Sequence, residues 1–184
     1  MMILAIDPSL TSTAAFIGRD SLDWKRNCFY SQNVGDDAWH RVSRYNDLVA
    51  RIAGWVDPIM PSAVYIEAYS FGSNDARSKF SAEYGGLLRA YLATLTDRIF
   101  EVAPTTLKKF CTGKGAGKKE MVIGHLMKNY GVEFGSNDEF DAYGLYRLGL
   151  VAEGICEPAN QAQREAADTV LGIKTTKKKG KVKQ

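Results

Sequence analysis

Two carboxylates close apolar runs. Asp7 ends Met-Ile-Leu-Ala-Ile-Asp at residues 2–7, and Glu67 ends Ala-Val-Tyr-Ile-Glu at residues 63–67. A charge closing a buried strand is costly unless it is solvated, paired or bound to a metal. Ligands of open α/β sheets bind outside the carboxyl ends of strands, where neighbouring parallel strands would bring these two acids together. Taken singly, each could be an ordinary strand-ending loop acid. Asp138 and Asp141, in Ser-Asn-Asp-Glu-Phe-Asp-Ala-Tyr at 136–143, are spaced i, i+3 and share one helix face, with Glu139 pointing elsewhere. Ser136 or Asn137 can cap that helix, and acids in its first turn suit the positive dipole end, so this pair also has a purely structural explanation. Together the four would form a cluster of oxygen ligands whose mutual repulsion a divalent cation relieves. Hard oxygen donors select magnesium or manganese over zinc, and His40 and His125 make no zinc motif. Two such ions about 4 Å apart would stabilise the attacking and leaving oxygens of a phosphodiester.

Basic residues gather in a second segment. Lys108, Lys109, Lys114, Lys118 and Lys119 surround Gly113, Gly115 and Gly117. Glycine lets backbone approach phosphate closely, and lysine supplies charge to ground state and transition state alike. The segment is not a Walker A loop, which would need glycine at Thr112 and Ser or Thr at Lys119, and a strand before it. Asp7-Pro-Ser-Leu-Thr11 imitates the phosphate loop of actin-like ATPases, but those enclose nucleotide between two related domains, and 184 residues leave no room for both. A noncatalytic binder of branched DNA is the remaining rival; mere binding would favour losing acids that repel the backbone.

These side chains need a sheet and flanking helices to position them. Apolar runs and turn signals predict strands at 2–7, 12–17, 27–31, 63–67 and 99–103. Helical spacing predicts a helix at 38–56, with Val42, Tyr45, Leu48, Val49, Ile52 and Trp55 on one face, stopped by Pro58 and Pro61. A long helix is expected at 74–97, and shorter ones at 105–111, 118–130, 137–153 and 159–171. Three strands joined by short turns, followed by strands alternating with helices, imply an antiparallel meander extended by parallel strands. That order is the ribonuclease H-like topology: an α/β fold with a mixed five-stranded sheet flanked by helices.

Length and composition agree with one domain at residues 1–172 and a lysine-rich tail at 173–184. Lys174 to Gln184 hold six of the 24 basic residues and no acid, leaving 18 basic against 21 acidic residues in the body. Such a tail is expected to be disordered, serving solubility or touching polyanions nonspecifically. Cys28, Cys111 and Cys156 form no C-x-x-C pair and are read as reduced thiols. The apolar stretch Met1 to Ile6 is too short for a membrane span and lacks a signal-peptide pattern. A soluble protein of the cytoplasm is expected.

Over about residues 1–153 the chain resembles RuvC-family crossover junction endonucleases, particularly the compact bacteriophage versions. The matching segments are Ile-Leu-Ala-Ile-Asp-Pro-Ser (3–9), Val-Tyr-Ile-Glu (64–67), Ala-Pro-Thr-Thr-Leu-Lys-Lys-Phe (103–110), Gly-Lys-Gly-Ala-Gly-Lys-Lys-Glu-Met-Val (113–122) and Asp-Glu-Phe-Asp-Ala (138–142). The resemblance implies that Asp7, Glu67, Asp138 and Asp141 bind metal and that Lys108 and Lys119 stand near the scissile phosphate, with Lys118 competing for the second role. It implies magnesium, two ions per site with manganese able to substitute, and a homodimer that nicks a four-way DNA junction symmetrically. The long helix near 74–97 would help form the dimer interface, though core packing explains its aromatic stripe equally well. Lys109, Lys114 and Lys118 are further candidate DNA contacts. The chain departs from the cellular pattern in Pro-Ser after the first strand and in Ala-Tyr-Ser-Phe after Glu67, so the aromatic that enters the junction is Tyr69 or Phe71.

Overall fold

The computed structural model describes residues 1–33, 35–69 and 76–173, so Phe71 and the tail from residue 174 lie outside the described residues. The sheet contains β1 (Ile3–Asp7), β2 (Ser12–Gly18), β3 (Trp24–Tyr30), β4 (Ala63–Glu67) and β5 (Ile99–Val102), in the spatial order β3-β2-β1-β4-β5. β1 pairs antiparallel with β2, as β2 does with β3. The pairs β1–β4 and β4–β5 are parallel. The mixed five-stranded sheet expected from the element order is therefore present. The helices are α1 (Ala38–Val56), α2 (Ala76–Leu92), α3 (Pro104–Thr112), α4 (Lys119–Tyr130), α5 (Asn137–Ala152) and α6 (Gln161–Val170).

Strand periodicity divides the core in two. Successive strand side chains point to opposite faces, so Leu4, Ile6, Val64 and Ile66 pack beneath Tyr45, Leu48 and Ile52 of α1 and Tyr84, Leu88 and Leu92 of α2. Ile3, Ala5, Ala63 and Tyr65 face the other way, toward Ala142, Leu145, Tyr146 and Leu148 of α5. The same alternation carries Asp7 and Glu67 onto the α5 face. Parallel register runs from Ile3↔Ala63 to Ile6↔Ile66, which leaves these two acids side by side at the strand ends.

Two boundaries differ from expectation by more than two residues. β3 starts at Trp24, not residue 27, because Trp24 pairs with Gly18 and its ring packs 5.3 Å from Phe16 and 5.8 Å from Tyr143. Lys25 and Arg26, exposed on this edge strand, are charges that such a strand accommodates readily. α2 ends at Leu92 rather than Asp97: Thr94 and Leu95 donate to Tyr91 and Leu92 in tight i→i−3 bonds that close the helix. On α1 the predicted face is buried at Tyr45, Leu48 and Ile52, whereas Val42 is exposed.

α5 crosses the sheet closely because glycine faces it. A β-carbon on Gly149 would come within 2.8 Å of the Tyr65 ring and 3.1 Å of Ile3 Cγ2. Gly149→Val is expected to destabilise the protein by about 2–3 kcal/mol, the upper range for overpacking a tight contact, read as a lower urea midpoint at unchanged slope. Gly144 similarly admits Leu107 and Cys111 of α3, where a β-carbon would stand 3.0 Å and 3.1 Å from their side chains. α5 thereby fixes both the sheet and the helix carrying Lys108.

Candidate active site

The strand ends, α3, α4 and the start of α5 enclose one pocket, lined by Asp7, Glu67, Asp138, Asp141, Lys108 and Lys119 among others. Each arrives by a local rule. Asp7 and Glu67 follow from strand alternation. Asp138 comes from the first turn of α5 and Asp141 from the next, beyond the N-cap Ser136 that accepts from Glu139 N at 3.3 Å. Lys108 lies mid-way along α3, which opens with Pro104 at its first position and closes at Gly113 with φ 80°. That left-handed cap is a conformation glycine adopts without strain. Lys119 is the first residue of α4.

Charge dominates the pocket. Asp7 is 5% exposed. Burial pushes its carboxyl well above the usual carboxylate range; the adjacent Glu67, through charge and a hydrogen bond, and then Asp141 and Asp138 push it further. Burial also raises Glu67, although its hydrogen bond with Asp7 acts in the opposite direction. Asp141 is raised by burial despite Lys119, whose Nζ lies 2.6 Å from Asp141 Oδ2 and 4.0 Å from Asp138 Oδ1. Burial works against the Lys119 ammonium, but the hydrogen bond and charge of Asp141, with Asp7 and Asp138, leave its pKa raised. Acids held above their normal range beside a lysine form a site short of positive charge.

The donor set suits a hard divalent cation. It offers carboxylate oxygens without thiol or imidazole, and Asp7 and Glu67 stand close enough to hydrogen-bond with one another. Among the described residues no three His, Cys, Asp or Glu side chains already converge on a single ion position. Carboxylate oxygens without thiol or imidazole fit a closed zinc cage poorly. Magnesium, which keeps several waters and takes one or two carboxylates plus substrate phosphate, matches acids arranged in pairs.

Not every expected residue reaches this pocket. Lys119 lines it and Lys118 does not; Lys118 occupies the N-cap of α4 and is exposed. Lys109 is turned to α6, its Nζ 2.6 Å from Glu165 Oε2, because one helical step rotates it away from Lys108. Lys114 is exposed on the glycine loop, with its backbone N–H donating to Thr112 Oγ1 at 3.3 Å. Tyr69 is half-buried against α2, with the Arg89 guanidinium carbon 4.0 Å from its ring centroid. Glu139, facing away from the other acids as expected, is buried and paired with Arg26, and accepts from Gly135 N at 3.0 Å. The Ser-x-x-Glu spacing at 136–139 signals that cap, whereas nothing in the sequence points to Arg26. The lining also includes Ser9 and Val122, which carry no recognisable pattern.

No family model matches the chain. It is 35% identical over 94 residues to the crossover junction endodeoxyribonuclease RuvC of Porphyromonas gingivalis, a stretch covering 50% of this chain and 48% of that protein. The chain thus matches about half the length of this curated relative. Among solved structures it is similar to Thermus thermophilus RuvC, with a TM-score of 0.64 and 16% identity over 94% of this chain and 98% of that one. A second structure, T. thermophilus RuvC in complex with Holliday junction substrate, gives a TM-score of 0.61 at 16% identity, over 94% and 97% of the two chains. The chain therefore has the ribonuclease H-like fold that RuvC displays, with its mixed sheet and flanking helices.

Proposed function

We propose that this protein is a divalent-metal-dependent endodeoxyribonuclease that resolves Holliday junctions and other branched DNA. The observation that carries the reading is the meeting of four acids from three separate elements with Lys108 and Lys119 in one pocket. Partial likeness to a crossover junction endodeoxyribonuclease supports it. Asp7, Glu67, Asp138 and Asp141 would hold magnesium, two ions per site, with manganese able to substitute. Bound metal supplies Lewis-acid polarisation of the phosphate and a more acidic water. Lys119 leaves Asp141 to face the phosphate, where it and Lys108 stabilise charge developing on the nonbridging oxygens. Lys114 and Lys118, both exposed, contact the DNA backbone and make affinity salt-sensitive.

The protein acts as a homodimer in the cytoplasm of a bacterial or phage-infected cell, each protomer nicking one strand. The outward side of α2 supports close approach of a second copy: Ala82, Gly86, Leu87 and Ala90 are all exposed there. Among the described residues no helix is long and apolar enough to cross a membrane.

Cleavage of a labelled four-way junction in magnesium, beside linear duplex, a three-way branch and a flap, tests the proposal. Paired nicks confined to the junction are expected of a resolvase. Equal cutting of every branch would make it a general debranching nuclease. Junction binding without cutting in magnesium or manganese would leave a noncatalytic junction protein.

A further inference from the structure

Two side chains of α2 reach toward the candidate site, Arg89 to the end of β4 and Tyr84 to Thr13 of β2. The Arg89 side chain is 16% exposed. Its Nη2 donates to the main-chain carbonyl of Glu67 at 2.9 Å, and its Nε donates to Glu101 Oε1 on β5 at 2.5 Å. Its Nη1 donates to the Gly85 carbonyl of its own helix at 3.1 Å. The guanidinium also covers the Tyr69 ring. That ring lies on the bare backbone of Gly85, where a β-carbon would come within 2.7 Å of Tyr69 Cε1. Farther along the helix, the buried Tyr84 hydroxyl lies 2.7 Å from Thr13 Oγ1, and Thr13 donates to the Ser9 carbonyl at 3.0 Å. Tyr84 is thus the donor to Thr13, and α2 is tied to the segment after Asp7 as well as to the end of β4.

Apolar packing of Leu88 and Leu92 already holds α2 on the sheet, so attachment alone does not explain these contacts. A partly exposed arginine–glutamate pair adds little stability, about 0–1 kcal/mol. What Arg89 adds is geometry. Its planar fork spans acceptors on two strands while one face stacks on an aromatic, which a lysine ammonium cannot reproduce.

We propose that Arg89 is a positioning residue of the candidate active site, fixing the Glu67 backbone and the Tyr69 ring to α2. A shift of α2, whether from pairing with a second copy or from DNA, is thereby transmitted to the carboxylates. The inference rests on the metal-dependent nuclease reading.

The test uses the full chain without DNA first, taking the manganese concentration that gives half of the metal-induced rise in melting temperature. Arg89→Ala is expected to raise that concentration about 10- to 100-fold, the usual effect of removing a group that orients a metal ligand. Single-turnover junction cleavage at subsaturating metal falls alongside and recovers at high metal, while Arg89→Lys restores part of the loss. Arg98→Ala is the control for lost stability: it breaks the 2.6 Å pair with Glu153, near the opposite end of β5, and should keep the wild-type metal requirement. A wild-type metal midpoint in Arg89→Ala overturns the inference, as does a rise that Arg98→Ala reproduces. If Arg89→Ala does not fold, Glu101→Gln decides by the same midpoint, a rise supporting the inference and no change overturning it. A wild-type protein without any metal-induced shift sinks the nuclease reading and this inference with it. A normal wild-type response with an unaltered Arg89→Ala removes only the role of Arg89.

Discussion

Asp7→Asn is expected to reduce junction cleavage by about a thousandfold or more, the scale of several kcal/mol of lost transition-state stabilisation. Junction binding stays intact or tightens, because a negative charge facing the phosphates has gone. The same substitution is expected to raise the melting temperature of the metal-free protein at neutral pH. Burial and Glu67 hold the folded Asp7 carboxyl above its unfolded range, so the folded state binds this proton more tightly than the unfolded chain does. The stability contributed is complete below the unfolded carboxylate range and is lost as pH rises through the elevated folded value. Asparagine carries no such charge and escapes the loss. Melting curves with and without manganese, from acidic to neutral pH, check both parts. Wild type should lose stability as pH rises and regain it with metal, whereas the variant should lack the Asp7 share of both effects. A variant that neither binds junctions nor gains stability would make Asp7 a structural acid.

Lys119→Ala and Lys118→Ala should separate sharply. Lys119 stands beside Asp141 in the pocket, and its removal is expected to slow single-turnover cleavage about 10²- to 10³-fold, the range for deleting one group that stabilises transition-state charge. Lys118 is exposed outside it. Its removal should weaken DNA binding modestly and reduce the salt slope by about one, with the saturated cleavage rate nearly unchanged. The reverse result would give Lys118 the role at the phosphate. Rates at saturating protein, together with affinities across a salt series, distinguish the two.

Strand periodicity made much of this site legible in the sequence. Asp7 and Glu67 each follow an apolar run, and the i, i+3 spacing of Asp138 and Asp141 needs only a helix to place both on one side. What joins the two pairs is tertiary: the crossing of α5 over β1 and β4, permitted by Gly149. Only the Lys-Glu-Met-Val context favours Lys119 over Lys118, because the choice depends on where α4 begins, and helix starts without a side-chain cap leave little trace. Lys109, a candidate DNA contact in the sequence, is carried one helical step round from Lys108 toward Glu165. Arg89 gave no signal, since its acceptors are a main-chain carbonyl and an acid on another strand. Tyr69, one of the two aromatics the resemblance offers for the junction, packs against α2. Its packing on Gly85 required knowing that α2 turns its glycine backbone toward it.

The crossing of α5 over the sheet also orders events in time. A chain emerging from the ribosome N-terminus first presents β1, β4 and α2 well before residues 138–141 exist. Asp7 and Glu67 therefore lack their two partner acids throughout most of synthesis. The helix that crosses the sheet is the same element that completes the pocket, so a chain that stops before residue 138 holds half of the carboxylates and no assembled site. Under the proposed function, cutting waits for α5 to dock on the sheet.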